Sequence, residues 1–402
     1  MTDKLQIKRR FFFEILIWMI WTQTILMQYV RAAVMRIPVI GSYPDAVMAV
    51  LYIVVIVLSL PEFRLSAKDI LFVLGFSAVF VLECLFQENP YLDAYFPKFL
   101  ITTLPLYFVG VALSEYENEE DVIYHLYILS AVTIIINFIY KVFFGTPMDA
   151  IVSQYQGDMD LAYNLLPHCC LVAFYARKKS NIFNIVLTIF GTFYLLMLGT
   201  RGAALILLIN IAWNIVSGNN SKKTVARIVA LFGAIGAFLA SPIYDAVILW
   251  MYKNAQKFGL SIRIFDKLLS GTQLGSSGRD HLTEQLLVSI REHSLLGTGL
   301  CSDRMIIGIY AHNLLIELWV EFGLIIGTVL LLALVITLWR GYINSSSKVE
   351  KGMIITMLCA SFFKMFLSGS YIDEGPLFLL VGLCVGVIRK NSVGVNRSEI
   401  LE

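Results

Sequence analysis

The chain alternates long apolar runs with short polar connections up to about residue 240, interrupts that rhythm once, and resumes it from Gly323. Runs of roughly 18 or more apolar residues read as membrane-spanning helices, and about twelve segments approach that length. They are Phe11–Tyr29, Pro44–Leu60, Asp69–Phe86, Phe96–Ser114, Asp121–Phe144, Leu161–Tyr175, Ile182–Leu198, Gly202–Val216, Val225–Ala240, Gly323–Trp339, Gly352–Ser368 and Gly375–Ile388. The pattern predicts an all-α polytopic membrane protein. Residues 1–240 hold nine spans, 241–311 form one long extracytoplasmic loop with amphipathic helices, and 312–402 hold three spans and a cytoplasmic tail.

Composition agrees with that pattern. Hydrophobic residues make up 58% before glycine is counted and charged residues only 15%, with mean hydropathy +0.75. A soluble domain is about 45–50% apolar with glycine included. More than half of the 31 Lys and Arg fall on one side when the N-terminus is placed inside, so the positive-inside rule puts both termini in the cytoplasm. The opening KLQIKRR and its apolar run resemble a signal peptide, but Glu14, Trp18 and Trp21 interrupt the run and no small-residue cleavage site follows. It therefore reads as the first span. The charges of the long loop nearly cancel, Lys253, Lys257, Arg263, Lys267, Arg279, Arg291 and Arg304 against Asp245, Asp266, Asp280, Glu284, Glu292 and Asp303, so any anion recognition there must come from placed groups and not from a general basic field. No nucleic-acid partner is expected. Of the six cysteines, Cys84, Cys169, Cys170, Cys359 and Cys384 lie in apolar spans and Cys301 in the loop. No Cys and His spacing of a metal site is visible, so neither metal nor cofactor is expected.

Charges inside a bilayer are costly, at least about 2.5–3.5 kcal/mol at the centre. Glu14, Glu83 and Lys364 all sit near span ends, which leaves the midplane almost uncharged. Asp149, Asp158 and Asp160 in the loop Gly145–Asp160 read as solvated carboxylates, and His168, beside Cys169 and Cys170, as a hydrogen-bonded packing residue.

Spans seven and eight are joined by the short turn LGTRGAA, in which Thr200 is a good N-cap. That places Arg201 in a first helical turn, where the dipole disfavours a cation. A cation kept beside free backbone N–H groups forms an anion-binding corner; an arginine snorkelling to lipid headgroups is the alternative. The polar stretch Gly271–Gly323 repeats the arrangement. Ser277 and Asp280 form a loose capping box, and Leu282, Leu286 and Ile290 recur every four residues, so a surface helix over Gly278–Glu292 carries Arg279 in its first turn. Tyr244–Phe258 and Arg263–Leu269 read as interfacial amphipathic pieces. Beyond Gly297-Thr298-Gly299 another helix begins, with Asn313 as N-cap and His312 just outside it. Glu317 and Glu321 follow on one face of that helix.

The ordered set LGTRGAALILLI, SGRDHLTEQLLVSIREHSLLGTGL and AHNLLIELWVEFGLIIG resembles the O-antigen ligase and Wzy-type polymerase superfamily of bacterial envelope glycan assembly. The resemblance covers about Gly199–Gly327. It implies a metal-independent, GT-C-like membrane glycosyltransferase of the bacterial inner membrane, using glycan on undecaprenyl diphosphate at the outer face. The family's two arginines map to Arg201 and Arg279 and its histidine to His312. The two guanidinium groups would bind the leaving diphosphate and His312 would act as general base. Asn313, Glu317 and Glu321 are assigned to substrate contact, with either glutamate able to orient His312.

These motifs do not separate a polymerase, which joins one lipid-linked repeat unit to another, from a ligase, which moves the glycan to lipid A core. The polymerase is taken as the reading because such enzymes are more numerous and diverse. Glycan donor, glycan acceptor and bilayer are the expected partners, with a chain-length regulator as a further one. A flippase of lipid-linked saccharide is the alternative from another class, but no internal repeat or polar midplane of a transporter is visible. A membrane assembly scaffold is the third option. The catalytic reading carries a geometric expectation: Arg201, Arg279 and His312 converge on one cavity.

Overall fold

A computed structural model describes residues 2–38, 40–63, 65–116, 119–143, 158–198, 200–216, 242–257 and 279–399. All regular elements among them are helical. Six helices are long and apolar enough to cross a membrane: Pro44–Glu62, Ala67–Phe86, Pro90–Ser114, Glu119–Lys141, Leu314–Asn344 and Gly375–Ser392. A seventh is gained if Arg10–Thr22 and Leu26–Val34, bent by 95°, count as one span. The described residues thus form an all-helical chain consistent with a polytopic membrane protein.

The helices depart from the expected spans at several points. The first span breaks at Gln23-Thr24-Ile25, between the helices Thr2–Thr22 and Leu26–Val34. The expected span Gly352–Ser368 is an α-helix over Lys348–Met357 that widens to a π-helix over Leu358–Phe363. The sixth expected span lies within the helix Asp158–Lys178, whose ends add charge, while Ile182–Met197 and Gly202–Ile215 are shorter apolar helices. Val225–Ala240, Arg263–Leu269, Asp149 and Ser277 lie outside the described residues. The amphipathic piece expected at Tyr244–Phe258 is the helix Pro242–Lys257.

The chain forms two compact units, Met1–Glu62 with Glu120–Gly275, and Phe63–Glu119 with Ser276–Glu402. In the first, the helix Thr2–Thr22 packs on Pro44–Ser59, and Asp158–Lys178 packs on both Ile182–Met197 and Arg201–Val216. His168 is fully buried there. Its Nδ1 lies 3.1 Å from Ser130 Oγ and its ring meets the edge of Trp21, as expected of a packing histidine.

In the second unit the helix Leu106–Ser114 runs along Gly375–Glu399, which also packs on Leu314–Asn344. A Cβ at Gly110 would strike the Leu379 carbonyl oxygen, and one at Gly382 the Tyr107 carbonyl oxygen. Small residues here let two apolar helices approach backbone to backbone, the usual basis of helix association in lipid. At one end of this pair Arg389 reaches Asp69 and Glu115, each at 2.7 Å, and Asp69 completes a capping box with Ser66.

Candidate functional site

The candidate site is built within the second unit, from the segment 279–324 and the connection 368–374. Arg279 is the first residue of the helix Arg279–Glu292, one residue inside the start expected from the sequence. The apolar stripe of that helix does the packing. Leu286 and Ile290 join Ala311 and Val320 in a buried cluster, with Ile307, Ile316 and Trp319 against it. The Arg279 helix therefore packs directly on the segment that carries His312.

The chain then turns at Gly297-Thr298-Gly299. Thr298 N–H donates to the Val320 carbonyl at 2.8 Å, Gly299 N–H to Glu321 at 3.0 Å, and Leu324 N–H to Ser294 at 2.8 Å. These bonds serve groups left open where the helix Leu314–Asn344 is interrupted at Gly323, whose φ of 77° and ψ of 169° are not helical. Only glycine fits, since a Cβ there would collide with the Leu295 carbonyl. The interruption separates the turns bearing Glu317 and Glu321 from the long apolar part of the helix.

Next comes the short helix Ser302–Ile307. Cys301 before it has φ of 59° and His312 after it φ of 56°, the two non-glycine residues with positive φ among those described. A left-handed backbone costs a side-chain-bearing residue roughly 1–2 kcal/mol, and it persists only where surrounding contacts over-determine it. For His312 such contacts exist on both sides. Asn313 caps the following helix, its Oδ1 accepting from Leu315 N–H at 3.0 Å and Ile316 N–H at 3.4 Å, as the sequence predicts. Before it, Ala311 N–H donates to Asp303 Oδ2 at 2.8 Å. The Tyr310 ring packs on the His312 ring at 4.1 Å.

Asp303 opens a buried polar network. Its other oxygen, Oδ1, accepts from both the Arg304 backbone N–H and the Arg304 guanidinium at 2.8 Å. Arg304 is only 1% exposed, and its second terminal nitrogen donates to Ser370 Oγ at 2.7 Å. The Glu317 carboxylate lies 3.5 Å from the same guanidinium, accepts from Ser370 Oγ, and faces Tyr371 N–H at 3.4 Å. Glu321 accepts from Tyr371 Oη at 2.6 Å and from Cys301 N–H at 2.7 Å. Tyr95 stacks its ring 4.7 Å from the Arg304 guanidinium carbon, a cation–π contact of a desolvated charge. Nearby, Lys98 pairs with Asp373 at 2.6 Å and Lys364 with Glu374 at 2.7 Å, which pins the connection that supplies Ser370 and Tyr371.

Burial sets the electrostatics. It raises the Asp303 carboxyl above the usual range, and Arg304 only partly offsets this. Burial alone would lower the Arg304 guanidinium, but the facing Asp303 and Glu317 carboxylates raise it, so it stays charged. Burial, then the neighbouring Glu321, raises the Cys301 thiol, which is therefore a packed thiol and not a nucleophile. Among the described residues no group of three or more His, Cys, Asp and Glu could hold a metal ion. The buried carboxylates meet a guanidinium, hydroxyls and peptide N–H groups.

The sequence-predicted residues are thus placed unevenly. Arg279 heads the helix that packs on the His312 segment, and Asn313, Glu317 and Glu321 follow on the helix His312 precedes. Arg201 is the first residue of the helix Arg201–Val216 in the first unit, behind Thr200, whose carbonyl accepts from Ala204 N–H. Sequence reasoning missed Asp303, Arg304, Ser370 and Tyr371. Asp303 and Arg304 stand in the sequence as adjacent opposite charges of the long loop, and no spacing rule links them to residues near 370. No protein family's sequence profile matches the chain, and no curated protein matches it.

Proposed function

We propose that the chain is a glycan polymerase of the bacterial inner membrane, extending oligosaccharide repeat units carried on undecaprenyl diphosphate. In this reading about twelve spans form a GT-C-like bundle with both termini in the cytoplasm, and transfer takes place at the outer face. The observation that supports the reading is the packing of the helix that Arg279 heads, through Leu286 and Ile290, on the segment that contains His312, a histidine whose strained backbone is fixed from both sides. The resemblance of the three ordered motifs supports it.

The chemistry assigned is a glycosyl transfer. The acceptor hydroxyl oxygen forms the new bond to the anomeric carbon, the bond from that carbon to the diphosphate oxygen breaks, and lipid diphosphate leaves with the bonding pair. Arg201 and Arg279 stabilise the charge developing on the diphosphate, since guanidinium groups make paired bonds to phosphate and each opens a helix whose N–H groups favour anions. His312 accepts the hydroxyl proton. Asn313, Glu317 and Glu321, expected at substrate, are reassigned to the frame around His312, because their carboxylate and amide oxygens are taken up by protein donors.

The test is reconstitution. Purified protein given only lipid-linked repeat units lengthens them. No lengthening, with transfer onto lipid A core instead, makes it a ligase; movement of labelled lipid-linked saccharide across the bilayer with no transfer makes it a flippase.

A further inference from the structure

We infer that Asp303 is a positioning residue for His312, an inference that rests on the catalytic role proposed above for that histidine. The argument is a closed circuit of contacts. Asp303 Oδ2 holds the Ala311 N–H, one peptide before His312. Asp303 Oδ1 holds Arg304 through backbone and side chain. Arg304 continues to Ser370, and Ser370 to Glu317. Glu317 N–H returns to the Asn313 carbonyl at 2.9 Å, the residue after His312.

His312 is thereby clamped between two anchored neighbours while its own backbone takes a left-handed conformation that an unrestrained chain leaves. The clamp is rigid because every member from Asp303 to Glu317 is buried, where a displaced partner would strand a charge without solvent. Asp303 touches both the peptide before His312 and the buried guanidinium. Its replacement opens the circuit on the Ala311 side.

Asp303→Asn and Asp303→Ala are compared in the full-length protein. Asparagine retains one acceptor oxygen and so can serve Ala311 or Arg304 but not both; alanine serves neither. Expected for Asp303→Ala is a fall in kcat on the order of 10²-fold, the scale of an ångström misplacement of a reacting group, with KM for the lipid-linked donor unchanged and Asp303→Asn in between.

The second readout needs no turnover. Carbethoxylation of His312 by diethyl pyrocarbonate, followed by mass spectrometry, rises several-fold in the order wild type, Asn, Ala, while exposed His281 reacts at a constant rate. Asp45→Asn removes the exposed ion pair with Arg31 in the first unit, outside this network, and leaves His312 labelling at the wild-type rate. Wild-type labelling and kcat in both Asp303 variants overturn the inference, as does equal His312 labelling in Asp45→Asn and Asp303→Asn. If Asp303→Ala does not fold, Asp303→Asn decides alone. If His312→Ala keeps full activity, the catalytic reading falls, and the labelling series still decides whether Asp303 holds His312.

Discussion

Arg304 and Asp303 are sequence neighbours whose side chains pair at 2.8 Å with almost no solvent access. Removing one member of a buried charge pair typically costs about 3–5 kcal/mol, because the other is left uncompensated. Arg304→Ala is therefore expected to lower the melting temperature of the detergent-solubilised protein sharply, and Asp303→Asn in the same chain to restore part of it. An Arg304→Ala protein that melts like the wild type would show that the guanidinium is not held in this network.

Tyr371 and Glu321 make a second buried contact, the phenol donating at 2.6 Å. Tyr371→Phe keeps the ring and removes the donor, leaving a carboxylate oxygen short of a partner. Its expected cost is about 1–3 kcal/mol, read as a shift in chemical denaturation midpoint. No shift would mean that water or another donor replaces the phenol.

At Gly323 the backbone conformation and the Leu295 carbonyl both exclude a side chain. Gly323→Ala should destabilise by more than about 1 kcal/mol from the backbone conformation alone. By comparison, alanine at Gly75, whose Cβ would meet nothing within 4 Å, should be neutral or slightly stabilising, helical alanine being favoured over glycine. Paired thermal melts separate the two.

Glu374 gives a pH dependence. Burial raises its carboxyl above the ordinary value despite the pairing with Lys364, so its contribution to stability is fully present below its unfolded pKa, about 4.3, and is lost as pH rises through the folded value. Glu374→Gln removes this titration. The stability difference, wild type minus variant, should therefore shrink as pH is raised from about 4 toward 7; a difference that widens would assign the Lys364 pair the dominant role.

His312→Ala, which leaves the Asp303 bond to Ala311 N–H in place, should lower transfer by about 10²–10⁴-fold, the usual scale of general base catalysis, with unchanged melting temperature. Arg201→Ala and Arg279→Ala should each abolish transfer while the protein still folds. Glycan chain length in cells provides the readout, and unaltered length in all three would favour a protein without this chemistry.

The legible part of the site was local. Asn313 announced its helix because a capping side chain acts on N–H groups two and three residues ahead. Arg279 announced another because apolar residues behind it recur at helical spacing. Hydropathy identified the helices that fall among the membrane-length ones, since apolar length is a property of contiguous sequence. The break at Gly323 was less visible: the residue was expected to begin a span and instead interrupts a helix already under way, because the deciding contact comes from Leu295.

What the sequence determined by itself is therefore the all-helical character of the described residues, their membrane-length apolar helices, and the starts of the helices headed by Arg201, Arg279 and Asn313. Each depends on hydropathy and on backbone groups within a few residues. Only the tertiary structure decided that Arg304 is a buried cation and not a loop charge, because its hydroxyl partner Ser370 lies 66 residues away. Burial of a charge is favourable only when every partner arrives together, and that condition is met by packing, not by any spacing along the chain.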